Sequence, residues 1–163
     1  MGYFNKYGNN IFGMTGTLGN EETHEMLESI YPIKLCFIPT YKHKQFIELK
    51  GRIETTVFGW IESVTISIIS EAEKGRAVLV ICETIANVKL FKEALVNSNY
   101  PQAKIHHYSR NDNDEYFVVN RNIDSGEILL ATNLAGRGTD LGTTNSVEKA
   151  GGLHVCLTYL PDN

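Results

Sequence analysis

Arg137 stands between two glycines, Gly136 and Gly138, and is followed by Thr139 and Asp140. That grouping can hold a charged fork against a phosphate. A guanidinium offers planar, bidentate hydrogen bonds to phosphate oxygens. Glycines on either side lack a Cβ, so the backbone can come close to a ligand or turn through positive φ without a clash. Asp140 has two functional uses: it can accept hydrogen bonds from ribose hydroxyls, or it can pair with Arg137 and fix its rotamer. The plainer alternative is a surface turn with an Arg137–Asp140 salt bridge, or Thr139 or Asp140 capping a following helix. What lies just before the group favours the functional reading. Ile128-Leu-Leu-Ala-Thr132 reads as a strand buried on both faces, as in a parallel sheet, and ligands of such sheets collect at the carboxyl ends of strands.

Other chemical signals are weaker. Gly8-Asn-Asn-Ile-Phe-Gly-Met-Thr15 has the spacing of a P-loop, but Met14 occupies the lysine position and no strand-like run precedes it. His106 and His107 would point to opposite faces of a strand and cannot share a metal. Asn111 to Glu115 lacks the glycine and distal glutamate of a calcium loop, so a helix cap is expected there. No metal site is expected. The cysteines, Cys36, Cys82 and Cys156, each lie in an apolar run with no zinc spacing and read as buried, reduced core residues. His154 reads as a packed core histidine, and Glu83 as a strand-end residue with no assignable partner.

The elements that would position Arg137 follow from periodicity and punctuation. Asn20 before Glu21 and Glu22 predicts a capped helix to about Ile30, stopped by Pro32. Lys34 to Ile38 reads as a short strand. Ile61, Val64, Ile68, Ile69 and Ala72 keep a helical period within 58–74, with Gly75 as the stop. Ala77 to Cys82 reads as a buried strand, Thr84 as a cap, and Ile85 to Val96 as a helix. A strand over 104–108, a short helix over 115–121, the 128–132 strand and a strand over 153–158 follow. Alternation of this kind predicts βαβ units around a parallel sheet.

At 163 residues and a formal charge of −4, the chain suits one full core and lacks the basic balance of a dedicated nucleic-acid binder. No signal-like start and no apolar span of membrane length occur, which predicts a cytoplasmic location or one peripheral to a membrane.

Four ordered segments carry a resemblance to a known family: Phe12-Gly-Met-Thr-Gly-Thr17, Phe37-Ile-Pro-Thr40, Ala131-Thr-Asn-Leu-Ala-Gly-Arg-Gly-Thr-Asp140 and Gly151-Gly-Leu-His-Val155. With Gly75 to Thr84 between them, they resemble the SecA-like preprotein translocase ATPases, the 131–140 segment being similar to helicase motif V. The chain departs from the family at Leu134, where bacterial members usually carry Met, and after His154, which makes it resemble a remote branch. The resemblance implies an α/β, RecA-like parallel sheet flanked by helices, incomplete as a fragment. Residues 1–40 would be the tail of a first motor domain with its linker, and 41–163 the second nucleotide-binding, helicase C-terminal-like domain, truncated before the arginine-finger motif. It implies ATP and Mg²⁺ as cofactors, bound mainly by an absent P-loop domain, with Arg137 catalytic at the γ-phosphate. Asp140, Gly136, Gly138 and Thr139 would hold the nucleotide, and Thr15, Gly16 and Thr17 would couple lobe closure to a polypeptide clamp. The implied partners are the P-loop-bearing first motor domain, an unfolded polypeptide and a membrane translocation channel; nucleic acid is not expected. Alone, the chain would not hydrolyse ATP. Two other readings keep the fold: the C-terminal lobe of a superfamily 2 RNA or DNA helicase, and a non-catalytic RecA-like interaction module.

Overall fold

The computed structural model describes residues 4–8, 10, 12–31, 33–41, 43, 45–108, 121–132 and 141–160. The chain divides into two compact units, Met1–Lys50 and Gly51–Asn163.

In the first unit, a 3₁₀ turn at Phe4–Tyr7 is followed by α1, Glu21–Ile30. The expected cap is present, with Asn20 Oδ1 accepting from the Thr23 amide at 3.1 Å. None of the α1 residues is buried. Lys34 to Ile38 does not form the expected strand. Strand propensity is realised only against a neighbouring strand, and here Phe37 packs on the His24 ring at 5.1 Å while Ile38 stands exposed. Cys36, expected in the core, is likewise exposed.

The second unit carries α2 (Val57–Glu73), β1 (Val78–Cys82), α3 (Ile85–Asn97), β2 (Ile105–Tyr108), β3 (Ile128–Thr132), α4 (Asn145–Lys149) and β4 (His154–Leu157). The strands form one four-stranded sheet in the order β2-β3-β1-β4, parallel throughout. This is the α/β architecture expected. Alternate residues of β1 and β3 face opposite layers, which is why their runs are apolar without interruption. Val78, Val80, Cys82, Ile128 and Leu130 pack with Ile68 of α2 and with Phe91 and Leu95 of α3. Ala77 and Leu129 pack on the other side with Val147 of α4 and with Ile123.

Despite its β-branched residues, α2 is helical because burial of Ile68 and Ala72 and the packing of Ile61, Val64 and Ile69 outweigh propensity. Thr56 Oγ1 caps it from the Gly59 amide at 3.0 Å. At the other end Gly75 takes φ +89°, its amide donates to Ala72 O at 3.0 Å, and the Arg76 amide donates to Glu71 O at 3.3 Å. That is a Schellman stop, and it needs a left-handed residue. Gly75→Ala is therefore expected to cost about 1–2 kcal/mol, read as a lower urea midpoint with an unchanged slope.

The five-residue α4 was not legible from the sequence. It is too short to show a period, and it forms because Val147 is fully buried on the sheet and the Ile123–Thr143 bridge brings the chain into place. The strand β4 lies at one side of the sheet, with Val155 and Leu157 about half exposed. The helix expected over 115–121 falls almost wholly outside the described residues, as does the 111–115 segment.

Candidate functional site at the carboxyl edge of the sheet

β1 and β3 lie side by side and end level, with Cys82 opposite Thr132 in register. From Cys82 the chain turns through Glu83 and Thr84 into α3, on the face covered by α2. From Thr132 it runs on to α4, on the opposite face. Neighbouring parallel strands whose connections leave to opposite faces open a crevice at their carboxyl ends, and ligands of such sheets bind there. The connection that starts at Thr132 is the one that holds Gly136, Arg137, Gly138, Thr139 and Asp140; those five residues lie outside the described ones.

The described groups at this edge are mostly committed to holding it rigid. The Thr84 hydroxyl accepts from the Asn87 amide at 3.2 Å and starts α3. Thr158 donates both its amide and its hydroxyl to Ile81 O, each at 3.1 Å. Its own carbonyl accepts from Trp60 Nε1 at 3.0 Å, which ties β4 to α2 as well as β1. Glu83 is exposed at the rim. Among the described residues there is no group of three His, Cys, Asp or Glu that could hold a metal ion.

In the first unit, the Thr17 amide donates to Thr15 Oγ1 at 3.1 Å, and Thr15, Gly16 and Thr17 are all exposed. The turn is thus shaped locally. No side chain crowds Gly16, whose missing Cβ would meet nothing within 4 Å.

The opposite, amino edge holds two polar clusters that no motif announces. In the first, Arg76 donates to the carbonyls of Gly152 and Gly151, each at 3.1 Å, and to Glu71 Oε2 at 2.9 Å. Gly151 and Gly152 take φ +106° and +80°, which turns their carbonyls toward that guanidinium. His154 enters the cluster with Nδ1 4.0 Å from Glu71 Oε2; it is buried, as the sequence reading held, and sits at the edge away from the crevice. In the second, Arg121 grips Glu127 through both nitrogens, at 2.8 and 2.9 Å. The Asp124 amide donates to Glu127 Oε2 at 2.8 Å, and His106 Nε2 lies 3.1 Å from Oε1.

These contacts set the titration. Lys74, and then Arg76 against the opposing effect of burial, holds the Glu71 carboxyl below its usual 4.5. Burial alone would push Glu127 up, but the Arg121 and Asp124 hydrogen bonds outweigh it and hold it below 4.5. Burial lowers His154 from 6.5, with Glu71 opposing. All three groups bind protons more weakly folded than unfolded, so stability is greatest at neutral pH and falls as the solution is acidified. The expected profile of urea midpoint against pH declines first below 6.5, through His154, and again below 4.5, through Glu71 and Glu127. His154→Gln should remove the first decline and keep the second.

Cys82 and Cys156 are both pushed up to about 11, in each case chiefly by burial, which makes them poor nucleophiles. No helix among the described residues is long and apolar enough to cross a membrane.

Comparison with known proteins gives this edge a context. Residues 52–153 match the SecA P-loop domain. The chain is similar to protein translocase subunit SecA 2 of Magnetococcus marinus, 31% identical over 145 residues, which is 89% of this chain and 22% of that protein. It is 32% identical over 155 residues to SecA 2 of Rhodopirellula baltica, covering 93% and 22%. With SecA of Clostridium botulinum it shares 28% over 156 residues, covering 96% and 18%. The chain therefore spans about a fifth of the length of the curated relatives it matches.

Proposed function

We propose a function from one premise: this chain belongs to the SecA P-loop domain family. It supplies one wall of an interdomain nucleotide site in an ATPase that drives polypeptides across or toward a membrane. The observation that carries this reading is the level ending of β1 and β3 at Cys82 and Thr132, with connections leaving to opposite faces. The connection that carries Arg137 starts at Thr132, and ligands of parallel sheets collect at such strand ends, which supports the reading.

In this reading Arg137 contacts the γ-phosphate as charge develops there, and Gly136 and Gly138 let the backbone approach. Thr139 and Asp140 hold the nucleotide, Asp140 through the ribose. A P-loop lobe of the parent protein cradles the phosphates and binds Mg²⁺, which would neutralise charge on the transferring group. Residues up to about 40 are the tail of that neighbouring domain, and the exposed Thr15–Thr17 turn couples its closure to the movement of a polypeptide clamp. The substrate is an unfolded polypeptide, the further partner a membrane channel, and the location the cytoplasmic side of a membrane. The relatives named above are translocase subunits, which supports that choice over a nucleic-acid motor.

The test is complementation. The chain alone is expected to show no ATP hydrolysis above background, and the P-loop-bearing lobe of its parent, joined to the rest of the motor, to be required for turnover. A preparation of the chain alone that hydrolysed ATP at the rate of the assembled motor would overturn the reading. So would salt-sensitive, nucleotide-dependent binding of single-stranded RNA by the assembled motor without any response to unfolded polypeptide.

A further inference from the structure

The outer side of α2 carries a groove that the carboxyl edge does not use. It runs between α2 and the end of α3 and has a volume of about 480 Å³. Three small side chains, Ser70, Ala94 and Ser98, are among its lining. Phe58 and Ile66 form its wall, 76% and 57% exposed, with Glu62 between them. These three residues are spaced four apart and share one row along the helix. Thr65 also lines the groove; it is only 5% exposed, and its hydroxyl is buried without a hydrogen-bond partner.

The charge of the lining is of one sign. Glu62 and Glu73 both border the groove, no lysine or arginine does, and neither carboxylate belongs to an ion pair among the described residues. An exposed phenylalanine and isoleucine beside two carboxylates suit a partner that brings apolar anchors and positive charge together. Small lining residues leave room for a helix to approach, and grooves between two helices take a third as its i, i+4, i+7 side chains enter.

We propose that this groove docks a lysine- or arginine-bearing amphipathic helix of another polypeptide. A second copy of the same face is disfavoured, because it would set Glu62 and Glu73 against like charges. The proposal does not rest on the nucleotide reading, since the groove lies along the outer side of α2 and its occupancy is measured without nucleotide.

The probe is a pair of fluorescently labelled synthetic peptides with leucines at helical spacing, one flanked by lysines and the other by glutamates at the same positions. Anisotropy titration of the full 163-residue chain is expected to show the cationic peptide binding at least about tenfold tighter than the anionic one, with the difference narrowing as salt rises. Joint Glu62→Lys and Glu73→Lys substitution should weaken cationic binding at least about tenfold and improve the anionic peptide. Phe58→Ser with Ile66→Ser should weaken both peptides. All four positions are exposed, so far-ultraviolet circular dichroism should stay that of the parent chain. Equal affinity for the two peptides, or binding indifferent to both double variants, would overturn the proposal. Concentration-dependent self-association in sedimentation, abolished by Phe58→Ser with Ile66→Ser, would overturn it in favour of a second copy.

Discussion

Arg137→Ala, made in a protein that carries the whole motor, is expected to lower nucleotide turnover by roughly 10²–10³-fold, the usual cost of removing one preorganised donor from developing charge. The fold is expected to be untouched, because Arg137 is a charged residue that follows the end of β3 in the sequence and not one of the apolar positions of that strand. Arg137→Lys should recover little: an ammonium keeps the charge and loses the planar, bidentate fork. Asp140→Ala should act on a different quantity, weakening nucleotide binding with a smaller effect on the rate at saturation. The measurement is steady-state ATP hydrolysis with a parallel titration of a fluorescent nucleotide. Turnover of Arg137→Ala within a few-fold of the parent would sink the assignment of this residue.

Phe91→Ala is expected to have the largest effect on the fold. Phe91 is fully buried and meets the Trp60 ring edge-on with centroids 5.0 Å apart, so α2, α3 and the sheet all lose contact when it is truncated. Truncations of buried phenylalanine cost about 3–5 kcal/mol, a large part of the roughly 5–15 kcal/mol that holds a typical domain. The chain has one tryptophan, which makes the test direct. Urea unfolding followed by Trp60 emission should show a much lower midpoint for Phe91→Ala and an intermediate one for Phe91→Leu. An unchanged midpoint would mean that the α2–α3 layer contributes little to the global transition.

How far the sequence could be read depended on the range of the interaction. The strands β1 and β3 were legible because burial on both faces leaves a run of apolar residues that needs no partner to be recognised. Caps at Asn20 and Thr84 were legible because a cap acts within three residues of itself. Lys34 to Ile38 misled for the opposite reason. Its composition suits a strand, but strand formation depends on a neighbour that no local pattern reports. The α4 helix, the Arg76 bonds to Gly151 and Gly152, and the Arg121 grip on Glu127 were invisible for the same cause, being made by chain segments that only folding brings together. For the site, the order strand, glycine, arginine, glycine located the connection after β3. What the sequence could not supply was the departure of α3 and α4 to opposite faces of the sheet. Cys36 shows that an apolar run does not by itself bury a thiol.

The flank of the sheet at β4 governs how this chain behaves in a tube. A lateral strand carries backbone donors and acceptors pointing outward, and here Val155 and Leu157 stand about half exposed beside them. The three residues that precede Leu157, His154, Val155 and Cys156, carry no fixed charge or proline to discourage pairing. That surface is a template on which another extended chain can crystallise or precipitate. The isolated chain is accordingly expected to associate through that flank as its concentration rises, and Val155→Lys to keep it dispersed, as read by sedimentation.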